Sequence, residues 1–119
     1  MSFNWHDYVL LAEELLNSKE ESYLRSSISR SYFGAFCVAR NKKGYQDYSG
    51  KSRENIHWKV INAYRDSKTL QEQNIGRILD KLRRARNEAD YDEKRIIKRE
   101  LAERMVILAK NILMNMELP

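Results

Sequence analysis

Apolar residues recur every three or four positions along most of the chain, and this spacing constrains the fold more than any other feature. No segment shows the apolar–polar alternation that is typical of a half-buried strand. One proline and four glycines interrupt the pattern very little. The spacing predicts an all-α bundle of about five helices, at residues 5–17, 21–41, 54–65, 70–90 and 93–117.

The same periodicity predicts which side chains fill the core. We expect the core to include Leu15, Ile28, Phe36, Ile61, Leu79, Leu82, Leu101 and Leu108. In the first helix, Asn4 is the predicted N-cap. The predicted buried face of that helix consists of Trp5, Tyr8, Leu11, Ala12, Leu15 and Leu16.

Length and composition limit the class of protein. A chain of 119 residues and 14.2 kDa is expected to form one domain, spanning residues 1–119. Its single cysteine, Cys37, excludes an intrachain disulfide and a cysteine-based metal cluster, and it favours a reducing, cytoplasmic setting. No apolar run is long enough to cross a membrane, and no signal peptide is apparent. Neither His6 nor His57 has a second ligand nearby in sequence, so we predict no metal and no cofactor.

The balance of charge permits an anionic partner without requiring one. The 22 lysines and arginines exceed the 17 acidic residues by five, and the two signs are interspersed. Arg77, Lys81 and Arg84 share one face of the fourth predicted helix. Such a face could follow a phosphate backbone. The neighbouring glutamates make a solvated face with helical ion pairs an equal alternative.

Small residues are dense in the second predicted helix, where they lower helix propensity. Close packing against another helix or a polar contact would offset that cost, and this face is one of two grounds for predicting a dimer, the other being the family resemblance given below. The residues concerned are Ser26, Ser27, Ser29, Ser31, Gly34 and Ala35.

The segment 41–53 is predicted to be a polar loop. Gly50-Lys51-Ser52 resembles the end of a phosphate-binding loop, with Gly44 upstream. That motif requires four residues between its glycines and a preceding strand, whereas this chain has five and no strand. The sequence therefore predicts no nucleotide-binding loop.

The segment 83–92 ends the fourth predicted helix and holds the main candidate site. Arg86 follows Leu82 by four residues, which places an arginine beside the apolar stripe. Asp90 follows Arg86 by the same interval and is its nearest candidate partner. Two interpretations stay open: a structural Arg86–Asp90 ion pair, or a binding site.

Two motifs together resemble the HEPN domain superfamily, in particular its small stand-alone prokaryotic members. The first is Ser29-Arg30-Ser31-Tyr32-Phe33-Gly34-Ala35-Phe36, and the second is the run from Leu82 to Tyr91. The resemblance covers the chain from Trp5 to the last helix. It implies an antiparallel helical bundle that dimerises. Many members are metal-independent RNases of toxin–antitoxin and defence systems, and others are partners of nucleotidyltransferases.

The resemblance also assigns candidate site residues. Arg86 and Asn87 match the arginine and the polar residue of the family's catalytic motif, whereas Asp90 and Tyr91 stand where its histidine is expected. Arg86 would bind phosphate, Asn87 would orient it, and Tyr91 would stack on a base or donate a hydroxyl hydrogen. Arg30 and Tyr32 are expected nearby, and Arg77, Lys81 and Arg84 would add nucleic-acid contacts.

The missing histidine leaves two functional classes open. Metal-free cleavage of RNA needs a group that transfers protons near neutral pH, as histidine does and arginine does not. One class is an RNA-directed component of a toxin–antitoxin or defence system, which would be either an endoribonuclease or a degenerate, inactive RNase. The other is a non-catalytic module that docks to a nucleotidyltransferase, an antitoxin or another chain.

Overall fold

The computed structural model describes residues 2–47 and 53–117, with side chains described for 2–47 and 56–116. The described residues contain no strand and form five helices, which confirms the all-α prediction. The helices are α1 (His6–Leu15), α2 (Glu21–Lys42), α3 (Arg53–Arg65), α4 (Leu70–Tyr91) and α5 (Arg99–Glu117). Gly50-Lys51-Ser52, in the predicted loop, lies outside the described residues.

Helix α2 is the centre of the bundle, because it packs against α1, α4 and α5. Helix α3 packs mainly against α4. Five of the eight predicted core residues are buried: Ile28, Phe36, Ile61, Leu79 and Leu82. The other three are only partly buried, and of these Leu101 and Leu108 pack against the core while Leu15 lies at its edge.

The predicted face of α1 is partly wrong. Val9 is 1% exposed and fills the core, whereas Leu11 is 37% exposed. Val9, Ala12 and Leu16 are the buried set, at intervals of three and four residues. The N-cap position belongs to Trp5, and the Asn4 side chain instead accepts a hydrogen bond from the His6 N–H at 3.1 Å.

Helix α5 begins six residues later than predicted, at Arg99 rather than residue 93. Contacts from α2 hold the intervening segment out of the helix. The Ile97 N–H donates to the Glu21 carboxylate at 3.0 Å, and this bond, with the Arg25 guanidinium, lowers the pKa of Glu21. Arg25 also donates to the carbonyls of Ala89 and Arg95, so it joins the end of α4 to this segment.

Two of the small residues of α2, Gly34 and Ser27, pack against α1 within the same chain. A Cβ atom added to Gly34 would lie 2.7 Å from Val9 Cγ2 and 3.1 Å from the Trp5 carbonyl oxygen. The buried Ser27 hydroxyl donates to the Ala12 carbonyl at 2.7 Å. These contacts account for Gly34 and Ser27 without an intermolecular partner, whereas Ser29 bonds to Asp90 of α4 and Ser26 is exposed. The dimer stays a prediction, and it loses part of this support.

Replacing Gly34 with alanine is expected to lower the free energy of unfolding by about 1–3 kcal/mol, because the new methyl group overlaps Val9. Thermal and urea unfolding followed by circular dichroism would measure the loss. Ser26→Ala, at an exposed position of α2, is the control and should stay within about 0.5 kcal/mol. A Gly34→Ala protein as stable as the control would contradict the close packing of α1 on α2.

Candidate functional site

Arg86 is buried among aromatic rings at the interface of α4 and α2. Only 6% of its surface is exposed. Its guanidinium carbon lies 5.1 Å from the ring centre of Phe33, 5.3 Å from that of Tyr32 and 6.0 Å from that of Tyr91. Its Nε atom is buried and has no hydrogen-bond partner among the described residues. Ring faces attract a cation, but they do not neutralise its charge.

His57 of α3 completes this cluster. It is 9% exposed, and its Nδ1 atom lies 2.5 Å from the hydroxyl oxygen of Tyr32. The His57 ring also stacks on Phe36, with ring centres 4.5 Å apart. Tyr32 therefore contacts the Arg86 guanidinium with its ring and His57 with its hydroxyl. We refer to Tyr32, Phe33, His57 and Arg86 as the arginine–aromatic cluster.

Arg83 lies one helical turn before Arg86 and adds a second cation to this side of α4. It is 8% exposed, and its guanidinium carbon lies 4.7 Å from the ring centre of Trp58. Neither Arg83 nor His57 was predicted as a site residue from the sequence. Their spacing was the available signal: Arg83 precedes Arg86 by three residues, and His57 precedes the inward-facing Ile61 by four.

The Arg86–Asp90 ion pair, one of the two interpretations left open by the sequence, does not form in the structure. Asp90 is exposed and accepts a hydrogen bond from the Ser29 hydroxyl at 3.2 Å. No ion pair joins Asp90 to Arg86, whose side chain lies against the rings of α2. Side chains of a helix lean towards its N-terminus, which directs Arg86 away from the following turn.

The remaining predicted residues of this segment lie at the edge of the cluster. Asn87 is half-buried. Tyr91 is 75% exposed, although its ring faces the Arg86 guanidinium. Of the four residues first proposed for the site, the structure therefore brings Arg86 and Tyr91 together, and Asp90 bonds elsewhere.

The predicted nucleic-acid residues divide between separate surfaces. Tyr32 belongs to the arginine–aromatic cluster, whereas the Arg30 guanidinium carbon lies 4.8 Å from the Tyr8 ring centre, against α1. Arg84 is exposed and lies about 160° around α4 from Arg86. Asp80 pairs with Arg84 and raises its pKa by hydrogen bonding.

Arg77 and Lys81 are likewise exposed on the far side of α4. The Arg77 guanidinium donates to the Asn74 side-chain oxygen at 2.7 Å. Lys81 and Arg84 line a groove between α4 and α5. These cations and Arg86 therefore form two distinct positive surfaces.

Within residues 2–47 and 53–117, no group of three or more His, Cys, Asp or Glu residues is arranged to hold a metal ion. None of the helices in these ranges is long and apolar enough to span a bilayer. The arginine–aromatic cluster itself presents fixed positive charge and aromatic surface. This combination suits an anionic ligand.

No family model, curated protein or solved structure matches this chain. The HEPN resemblance accordingly stays a prediction from the two motifs. The functional proposal depends on the geometry around Arg86.

Proposed function

We propose that this protein is an RNA-directed helical domain that binds a phosphodiester of single-stranded RNA at the arginine–aromatic cluster. The observation that carries the proposal is the burial of Arg86 without a carboxylate or a hydrogen-bond partner among the described residues. A buried, uncompensated cation costs free energy, and an anionic ligand would recover much of that cost. Arginine binds phosphate through paired N–H donors, which makes it well suited to this role.

The surroundings of Arg86 favour a single-stranded nucleic acid over a free anion. The exposed ring of Tyr91 lies beside the guanidinium, where an unpaired base could stack. Arg83 adds positive charge one turn away. A phosphate on Arg86 and a base on Tyr91 would occupy adjacent parts of one nucleotide strand.

The geometry supports recognition more directly than cleavage. Cleavage without a metal needs proton transfer at the 2′-hydroxyl and at the leaving oxygen. His57 is buried, and its Nδ1 atom is engaged by Tyr32. Asp90 bonds to Ser29 rather than facing Arg86. We therefore propose a degenerate RNase that binds RNA, as the loss of the family's motif histidine also suggests.

The resemblance adds a setting to this proposal. On this basis we propose that the protein is a component of a prokaryotic toxin–antitoxin or defence system and that it acts in the cytoplasm. We also propose that it forms a homodimer, or a complex with a nucleotidyltransferase or an antitoxin. Docking to such a partner without any RNA is the alternative function.

Wild-type protein is expected to bind a fluorescein-labelled single-stranded RNA of about ten nucleotides at low salt, saturably by fluorescence anisotropy. Affinity should fall as salt rises, because phosphate contacts release counterions. Replacing Tyr91 with alanine should weaken binding by about 1–3 kcal/mol, the usual contribution of one stacked base. Tyr23→Ala, at another exposed tyrosine, is the control and should bind as wild type does.

Absence of RNA binding by the wild-type protein at low salt would contradict the proposed function. Equal RNA affinities of the Tyr91→Ala and Tyr23→Ala proteins would contradict only the stacking of a base on Tyr91, and not RNA binding at Arg86. Production of RNA fragments would show that the protein cleaves RNA, and it would contradict the proposal of a degenerate RNase.

A further inference from the structure

A groove of about 230 Å³ lies between α4 and α5, away from the arginine–aromatic cluster. Its apolar floor is formed by Ala85, Leu101 and Met105. A second, adjoining pocket shares Leu101 with it and adds Ile96, which is 72% exposed. The two pockets form a continuous surface, which we call the α4–α5 groove.

Cations border this apolar floor on both sides. Lys81 and Arg84 come from α4, and Arg104 comes from α5. Arg84 is neutralised by Asp80, and Arg95 by Glu88 at 2.5 Å. Lys81, Arg104 and Lys98, which lies just before α5, have no such ion pair with a described residue. The groove therefore has one uncompensated cation on each of its two helices.

The lining of the α4–α5 groove suits a protein segment better than a nucleic acid. No aromatic ring of the described residues lines it, so unpaired bases would have no platform for stacking. Of the two glutamates that line it, Glu88 is paired with Arg95, so the cations of the lining outnumber its remaining carboxylates. An exposed Ile96 and a floor of aliphatic side chains instead suit leucine or isoleucine anchors.

We propose that the α4–α5 groove binds an acidic amphipathic helix of a partner protein. Apolar side chains of that helix would cover Leu101, Met105 and Ile96. Carboxylates on its two flanks would pair with Lys81 on one side and Arg104 on the other. Such complementarity of charge fixes the partner's identity and orientation more than it adds affinity. The inference does not depend on RNA binding at Arg86.

The test uses a fluorescein-labelled synthetic peptide of about 15 residues, with leucine at every third or fourth position, glutamate on the two flanks of that stripe and alanine elsewhere. A second peptide carries glutamine in place of every glutamate. The groove variant is Lys81→Glu with Arg104→Glu. Its matched control is Lys68→Glu with Arg77→Glu, which reverses two exposed charges outside the groove and gives the same net charge.

Wild-type protein should bind the glutamate peptide at least about tenfold more tightly than the groove variant does, because two ion pairs become repulsive contacts. The control variant should bind it within about twofold of wild type, since its changes lie outside the groove. The glutamine peptide should bind more weakly than the glutamate peptide, and Ile96→Ser should weaken binding as well. Arg86→Met should leave peptide binding unchanged.

Two results would overturn the inference. One is a wild-type protein that does not bind the glutamate peptide, or that binds it no better than the groove variant. The other is loss of RNA affinity in the groove variant without any peptide binding by wild type, which would make the α4–α5 groove a phosphate-binding surface. RNA binding at Arg86 could fail while peptide binding succeeds, so the two proposals are separable.

Discussion

Replacing Leu82 with alanine is expected to lower the free energy of unfolding by about 2–5 kcal/mol, the usual cost of removing a buried leucine. Leu82 is 0% exposed and lies on the inner face of α4. The loss combines the transfer free energy of the removed methyl groups with the cavity that they leave. Urea unfolding followed by circular dichroism, with the dependence on denaturant compared between variants, would measure it.

Leu70→Ala is the matched control, because it makes the same chemical change in the same helix. Leu70 is the first residue of α4 and is 73% exposed, so its loss should cost about 0.5 kcal/mol or less. Equal losses in the two variants would contradict the assigned inner face of α4. Equal losses would also contradict the burial of Arg86, because Arg86 follows Leu82 by four residues and lies on the same face of α4.

Replacing Arg86 with methionine is expected to weaken RNA binding by about tenfold to a hundredfold while leaving stability unchanged or higher. Hydrogen bonds to charged groups contribute about 1.5–3 kcal/mol, and methionine can form none with phosphate. Methionine fills much of the same volume, and it removes a buried charge that has no ion pair with any described residue. Asp90 is not left unpaired, because it bonds to Ser29.

Two control variants separate charge from position. Arg77→Met removes one exposed charge from the other side of α4 and should reduce RNA affinity only slightly. Arg86→Lys keeps the charge without the planar pair of donors, so its affinity should fall between those of wild type and Arg86→Met. A loss of several kcal/mol of stability in Arg86→Met, with RNA affinity retained, would establish a structural role for Arg86 instead.

The helices could be predicted from sequence because they depend on local spacing of apolar residues. The start of α5 could not, since residues 92–98 are held by Glu21 and Arg25 of α2, far away in the sequence. The face of α1 was also ambiguous. Val9, Leu10 and Leu11 are consecutive, so apolarity alone does not decide which of them faces the core.

The candidate site was predictable only where one helix determines it. The spacing between Leu82 and Arg86 predicts that Arg86 lies beside the core. The aromatic neighbours of Arg86 come from α2, however, and His57 comes from α3, so one helix alone does not predict them. The Arg86–Asp90 ion pair does not form, because an interval of four residues permits a contact between two side chains without requiring it. Rings of Tyr32 and Phe33 compete for the guanidinium, and Ser29 competes for the carboxylate.

The most direct measurement is an NMR titration of ¹⁵N-labelled wild-type protein with single-stranded RNA, observing the Nε–Hε groups of the arginines. Arg86 Nε is buried, so its proton should exchange slowly with water and give a resolved signal. We predict that this signal shifts saturably as RNA is added, while that of Arg84 does not. Binding that shifts Arg77, Arg84 or Arg95 and leaves Arg86 unchanged would contradict the proposed site.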